Sequence, residues 1–403
     1  VLLGGVPISP VIFVDEGELS ITVGAAPGQY GDLDLQVSNP DGQSAMLAEA
    51  LRRFLGAVGF GERTNTLADG GAISVATGDL NGDGNVDVVT ANVAAGSVAI
   101  LLGRGDGTFD EAAIRSVGSG AATVRLVDLD TDGALDIVVT ARDDDSLVTL
   151  AGNGDGTFAP EVVYAAGDGV FGLAVGDVNG DLASDIVTGH QLGDNIGVRL
   201  GDGSGGLGPM TTLPGNDFVF GVELADMDSD GNLDIVATSG IGPGLVSVYR
   251  GNGDGTFAPK ADADLGASPR RLAVADIDGD GRADVVAPNV DDGTISVALG
   301  TGDGQLGAAT TVVSGFSPFA VDVTDLNKDG RPDLLAVRLS TSNALEYHLG
   351  LGDGTFTTRQ IVGTTSNGPR DIEAADLDGD GLPDLVTANR QSNNVTSVLN
   401  ASE

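Results

Sequence analysis

The chain has 403 residues and a formal net charge of −40, from 59 acidic residues against 19 basic ones, and a surface of that sign repels phosphate backbones and anionic headgroups, which excludes nucleic acid and direct membrane insertion. It has no cysteine, which excludes disulfides, thiolate catalysis and cysteine-based zinc sites. No apolar run reaches the ~18 residues of a spanning helix, nothing at Val1 reads as a signal peptide, and the chain is expected to be a piece of a longer or processed protein.

Residues 1–53 carry two strand-like stretches, ELSITV and DLDLQVSNPDGQSAML, the second with NPDG as its hairpin turn. They are too few to bury a full sandwich core, so this part reads as a partial β-sandwich segment.

From residue 54 to 403 the chain repeats. An acidic nonamer begins at Asp79, Asp128, Asp177, Asp226, Asp276, Asp325 and Asp376, at spacings of 49, 49, 49, 50, 49 and 51 residues. Six copies have Gly at position six; the third, DVNGDLASD, has Leu182 there. An alternating apolar stretch precedes each nonamer, a continuous one such as DIVVTA follows, then a third stretch such as SVAILLG, and then a turn such as GRGDGTF or GNGDGTF. Strands read from these periods give four per repeat, the pattern of a propeller blade. The last repeat ends at VTSVLN without a fourth strand, and Phe60 stands 19 residues before Asp79, as Phe109 stands before Asp128. The stretch from about Phe60 to Leu67 is therefore expected to supply the missing outer strand of blade seven. The fold expected is an all-β, seven-bladed β-propeller with four-stranded blades, closed by an N-terminal strand and preceded by the β-sandwich segment.

Carboxylates at alternate positions of a tight loop converge on one point, and a glycine at position six permits the sharp turn, which suits a hard Ca²⁺ ion wanting six to eight oxygens. Without metal, carboxylates packed so closely repel one another. About seven Ca²⁺ ions are expected, one per blade. The ligands named are positions one, three, five and nine by side chain and seven by carbonyl: Asp79, Asn81, Asp83, Asn85 and Asp87; Asp128, Asp130, Asp132, Ala134 and Asp136; Asp177, Asn179, Asp181, Ala183 and Asp185; Asp226, Asp228, Asp230, Asn232 and Asp234; Asp276, Asp278, Asp280, Arg282 and Asp284; Asp325, Asn327, Asp329, Arg331 and Asp333; Asp376, Asp378, Asp380, Leu382 and Asp384. The Leu182 loop is expected to be the most strained or the most weakly occupied, because it places a Cβ where its sisters have none.

The repeats resemble the FG-GAP or VCBS repeats of integrin alpha-subunit propellers and of many bacterial surface proteins. VFGLAVGDVNGD, from Val170 to Asp181, and VFGVELADMDSDG, from Val219 to Gly231, carry the likeness most closely. The likeness implies fold and calcium but not function, since this scaffold hosts adhesins, lectins and some lyases. Residues 1–53 resemble the second half of an IPT/TIG immunoglobulin-like domain.

No GxSxG, HExxH or Walker loop is present, and the two histidines, His190 and His348, fall on different repeats as a surface and a strand imidazole. The chain is thus expected not to be an enzyme. The RGD at Arg104 to Asp106 occupies a position that reads NGD in sister turns, so turn geometry explains it. Six residues before each nonamer stand Ile73, Ala122, Phe171, Phe220, Arg270, Phe319 and Arg370. Seven equivalent positions surround the channel mouth on the face opposite the nonamers, and Phe171, Phe220, Arg270, Phe319 and Arg370 are the expected partner-binding residues, with channel plugging as the rival reading. Loops after the second strands, carrying Asn92, Arg142, Asp143, Asp144, Asp145, His190, Asn289, Asp291, Asp292, Arg338, Asn389, Arg390 and Gln391, are expected to add specificity. The leading expectation is a monomeric propeller in a bacterial extracellular or cell-surface protein that binds a protein or glycan. The alternatives are a carbohydrate-active lectin or lyase-like propeller and a structural spacer; the absence of Trp weighs against sugar stacking.

Overall fold

Alternating residues leave a strand one face to bury, and a continuous apolar run must be covered on both. The computed structural model describes residues 58–402 except 243, 316, 340–342 and 365, and before residue 58 the backbone of six strands. In the first blade the inner strand Ala72–Gly78 pairs antiparallel with Asp87–Asn92, that strand with Ser97–Leu101, and that with Ala113–Ser116. Five sheets repeat this order. The second strand of the first blade is buried at every residue and its outer strand is exposed at every residue.

The double covering comes from neighbouring blades. Val89 packs with Ile137, Val139 and Val148 of blade two, while Val88, one residue earlier and on the opposite face, packs with Val386 and Val395 of blade seven. Phe109 and Phe158, the turn aromatics, are buried in these same interblade cores. Blades therefore have no core of their own; each shares two, as stacked repeats must.

The seventh sheet joins Pro369–Ala375, Asp384–Asn389 and Asn394–Asn400 to Phe60–Leu67, which pairs antiparallel with the last strand. The ring closes as its sequence leads one to expect, leaving no open seam. Asn400 completes it where the seventh repeat has no glycine turn. Its amide nitrogen donates to Leu326 O at 2.8 Å and to Pro383 O at 3.1 Å, and its backbone N–H donates to Asp384 Oδ1 at 2.6 Å.

Residues 1–59 make up most of a second compact unit. In it Leu35–Ser38 pairs antiparallel with Ser44–Leu47, Leu2–Leu3 pairs with Leu35–Ser38 and with Val6–Pro7, and Val11–Asp15 forms a hairpin with Glu18–Ile21. The NPDG turn expected between two of these strands lies outside the described residues.

Asn400→Ala removes two buried side-chain hydrogen bonds and leaves two carbonyls unpaired, so it should lower unfolding stability by about 2 kcal/mol. Urea unfolding of the variant beside Gln391→Ala, which alters only an exposed loop residue, measures the difference; equal midpoints would contradict the closing role of Asn400.

Candidate functional sites at the two ends of the channel

The nonamer is held first by its own backbone. In the opening loop Asp79 Oδ1 accepts from the N–H groups of Asn81 and Gly82, and Oδ2 accepts from Gly84 at 2.9 Å. Asp83 Oδ1 accepts from Asn85 N–H at 2.8 Å, and the corresponding bond recurs for Ala134, Ala183, Asn232, Arg282 and Leu382. Position nine has a further task. Asp87 is fully buried, its Oδ2 accepts from Leu80 N–H at 2.8 Å and its Oδ1 from Gly103 N–H, in the turn after the third strand, at 2.7 Å. Asp136, Asp185, Asp234, Asp284 and Asp333 make the same pair of bonds. This staple is a role the sequence reading did not assign.

Burial pushes the carboxyls of Asp234 and Asp384 up to about 6, against the two N–H donors on each and helped by neighbouring aspartates. The same causes raise Asp87, Asp136, Asp185 and Asp284. A divalent cation among the oxygens relieves that penalty by supplying the opposite charge. Carboxylate oxygens of Asp128, Asp130 and Asp136 lie within 4.8 Å of one another, as do those of Asp226, Asp228 and Asp230, of Asp276, Asp278 and Asp284, and of Asp376, Asp378 and Asp384. These all-oxygen clusters could hold hard metal ions. Loops one, three and six have Asn in place of the second aspartate; Asn81 Oδ1 and Asn179 Oδ1 each accept from the aspartate N–H two residues on, at 2.9 Å, and Asn327 Oδ1 from Asp329 N–H at 3.1 Å. In loop five Arg282 already donates to Asp280 Oδ2 at 2.9 Å, so a cation has a competitor at that ligand.

Leu182 takes φ +70° and stands 87% exposed, where Gly84, Gly231 and Gly381 take φ from +84° to +88°. No atom lies within 4 Å of a Cβ built on Gly84, so the cost at this position is backbone strain and not a clash. Position four is also left-handed, with Thr131, Ser229 and Lys328 at φ +59°, +59° and +55°, a constraint that composition alone does not reveal.

At the opposite end a β-bulge explains the mouth. The register of the inner strand shifts between Ala72 and Ser74, Ala121 and Val124, Val170 and Gly172, Val219 and Val222, Pro318 and Ala320, and Pro369 and Asp371. The bulged residues include Ile73, Ala122, Phe171, Phe220, Phe319 and Arg370, and a bulge re-aims its side chain. Gly172 lets the next blade approach; a Cβ there would stand 2.9 Å from Phe220 O. Ile73, Ala122, Phe171 and Phe220 form one buried cluster with Phe319 packed against it. The Phe171 and Phe220 rings are 4.3 Å apart, Arg270 lies over Phe220 at 4.8 Å and Arg370 over Phe319 at 4.5 Å. All five expected partner-binding residues thus meet in one place, and the aromatics also plug the channel.

Several expected specificity residues are structural instead. His190 is fully buried at the end of the strand Asp185–His190, where it is bonded to Asn195 through Nδ1 and to Thr188 through Nε2; it is not a surface imidazole. Asn92, Asn289 and Asn389 are buried at the same strand end and donate to Ser97, Ser296 and Thr396 on the third strand. Arg338 is buried 2.7 Å from Glu346. Asp144 and Asp145 accept the N–H groups of Ser119 and Gly169, and Asp291 and Asp292 accept from Ser268 and Ala267. Arg142 pairs with Asp143, while Arg390 and Gln391 remain exposed. Arg104 of the RGD is turned onto Asp110 of its own hairpin at 2.7 Å.

Beneath the aromatic plug lies a feature the sequence reading missed. Positions three and five residues before the nonamers contribute Arg125, Glu223, Arg271, Asp322, Asp371 and Glu373 to a polar cavity of about 290 Å³. Arg125 bonds Glu223 at 2.6 Å, Asp371 accepts from the Ser74 hydroxyl and the Val75 N–H, and Arg271 donates to Ala122 O at 3.1 Å beneath Phe171. Among the described residues Glu373 Oε2 has no hydrogen-bond partner. Burial, with Asp322 nearby, pushes Glu373 up to about 8, and burial pushes Asp322 up to about 6. Aligning the seven inner strands on the nonamers would have found this ring, because a charge on a strand bounded by apolar residues is its signal.

Two outcomes follow. Leu182→Gly should stabilise the protein by up to about 1 kcal/mol, the relief of the left-handed leucine less the greater freedom of an unfolded glycine; an unchanged or lower melting temperature would contradict the strain. For Glu373 the folded pKa is about 8 against 4.5 for the free group, so the folded state holds a proton the unfolded chain releases and stability drains as pH climbs through that window. Glu373→Gln should therefore raise the melting temperature at pH 8.5 by a few degrees and leave it unchanged near pH 4.5. Equal gains at both pH values would show that titration is not the cause.

No curated protein matches the chain. Among solved structures, an Agrocybe aegerita lectin described as recognising non-reducing terminal N-acetylglucosamine is 21% identical, with a TM-score of 0.52 over 75% of this chain and 80% of that one. BBS1N, solved in complex with ARL6DN, has a TM-score of 0.61 at 12% identity, over 85% of this chain and 96% of that one. A catalytically inactive virginiamycin B lyase from Staphylococcus aureus, solved with quinupristin, has 0.56 at 13%, over 84% and 99%. At these identities the likeness is one of fold. The model described as FG-GAP-like repeat matches residues 79–139, 128–188, 237–287, 276–336 and 325–387, more than half of the chain, which therefore belongs to the FG-GAP-like repeat family.

Proposed function

We propose that the protein is a calcium-stabilised recognition module that binds a partner at the channel mouth, on the face opposite the nonamers. The observation that carries this reading is the cup of Phe171, Phe220, Phe319, Arg270 and Arg370, with a cavity of about 210 Å³. The nonamers are nearly interchangeable and occupied with their own backbone, whereas the seven mouth positions differ from blade to blade; a specific partner needs the latter. Aromatic and arginine side chains are also the residues that most often anchor interfaces.

Calcium fits the role of staple in a chain without disulfides, since the all-oxygen clusters and raised carboxyl pKa values favour a hard divalent cation. The module is read as part of a bacterial extracellular or cell-surface protein, similar to integrin alpha and VCBS propellers and following an IPT/TIG-like segment, with no catalytic role.

Excess chelator should lower the melting temperature by more than about 5 °C, restored by Ca²⁺ and not by an equal concentration of Na⁺, because a ligand that binds only the native state stabilises it by mass action. Hydrogen exchange on calcium-loaded protein, with hits from a peptide library and a glycan array, should place protection around residues 218–221 and 389–391. Protection centred on the nonamers would overturn the assignment of the binding face.

A further inference from the structure

The cup carries a charge pattern opposite to that of the molecule. Arg142, Arg270, Arg370 and Arg390 line it together with Phe171, Phe218, Phe220 and Phe319, in a chain of net charge −40. Arg142 is paired with Asp143 and Arg270 donates to Gly240 O at 2.5 Å. Arg370 differs. Among the described residues it has no carboxylate or hydrogen-bond partner, its Nε is buried, and the charges acting on it are those of Arg390 and Arg270, which with burial bring its pKa down to about 10. A guanidinium flanked by two others and stacked on Phe319 has one of its planar faces covered and its edge donors without a partner among the described residues.

The cavity of about 210 Å³ is smaller than the roughly 300–1,000 Å³ of pockets that enclose a whole small molecule; it has room for one side chain. Its walls are Ile73, Val93 and the four phenylalanines, with Gln191 as the one uncharged polar side chain lining it among the described residues. Sugar hydroxyls buried there would meet arginine donors but few acceptors for their own protons, at a cost for each, whereas a carboxylate only accepts, so an aliphatic stem ending in one would meet apolar walls and arginine edges. The remaining negative charge of the molecule is screened beyond a Debye length of about 8 Å at physiological salt, so the local field of the cup governs what enters it.

We infer that the cup receives a single acidic side chain, glutamate or aspartate, presented by a partner protein, with its carboxylate on Arg370, Arg390 and Arg270 and its stem against Phe220 and Phe319. This rests on the reading of the mouth as the recognition face and adds the charge and class of the partner. It assigns the arginines the specificity and the aromatics the affinity.

The test is selection of a random twelve-residue peptide display library on the calcium-loaded protein, followed by fluorescence anisotropy of the enriched peptides. They should share one Asp or Glu, and replacing it with Asn or Gln should weaken binding at least tenfold. Arg370→Met and Arg390→Gln should each weaken it by a similar factor, with melting temperature and calcium content unchanged; Arg390 is exposed, so its variant tests the idea even if Arg370→Met does not fold. Peptides that lose binding on Phe319→Ala but carry no acid would overturn the acidic partner while leaving the mouth as the recognition face. Peptides indifferent to Phe319→Ala, Arg370→Met and Arg390→Gln would overturn both. A library that enriches nothing, or polygalacturonate bound by the wild type and lost on Arg390→Gln with no peptide enriched, would overturn a protein partner.

Discussion

The ring depends on one buried carboxylate per blade. In blades one to six the aspartate at position nine of the nonamer ties the start of its own loop to the turn that follows the third strand, and in blade seven Asp384 ties it to Asn400 at the end of that strand, so a single side chain fixes where two hairpins of a blade end. The second tie runs between blades. Gly156, Gly205 and Gly255, in the turns of blades two, three and four, donate their N–H groups to Leu80, Leu129 and Val178 O, the carbonyls at position two of the preceding nonamers. The acidic loop, the turn and the neighbouring loop are thus one hydrogen-bonded unit, repeated around the ring. Burying these carboxylates is costly unless they are well satisfied, and the two backbone donors on each go toward meeting that requirement.

This arrangement separates the two ends of the channel by task. One end is uniform because each loop must satisfy the same staple. At the other end, in six of the seven blades, a bulge re-aims one side chain of the inner strand without disturbing the sheet, so its identity is free to vary. Thr140 and Thr238 show how the mouth backbone is held: each hydroxyl donates to the carbonyl of the mouth residue in the next blade, Phe171 and Arg270. A fixed backbone under a variable side chain is what a recognition surface needs.

Much of this was legible because repetition turns one chain into seven aligned copies. Blade number, strand order and the closing strand Phe60–Leu67 followed from spacing and period alone, and so did the convergence of Phe171, Phe220, Phe319, Arg270 and Arg370. What was not legible has physical causes. Asn92, Asn289 and Asn389 look like loop residues because asparagine favours loops, yet each is the latch between second and third strands. His190 takes the same place with an imidazole. Glu223 hides in a strand, VFGVELA, that otherwise reads as apolar, and Glu373 follows two charges, Arg370 and Asp371, in PRDIEAA, where it reads as one more exposed residue; a channel admits charge where a packed core does not. The second duty of Asp87 was masked by its first, a carboxylate in an acidic loop already having an explanation.

The joining of Phe60–Leu67 to Asn394–Asn400 also sets an order of events. The two strands lie more than 300 residues apart in the chain, yet they are neighbours in the sheet. Interblade cores of blades one to six can form as the chain emerges from synthesis, each needing only the repeat before it, but the seam waits until Asn394–Asn400 has been made. Contacts of such long sequence separation slow folding. Until they form, Phe60–Leu67 is a strand without its sheet, and the first blade has an uncovered face.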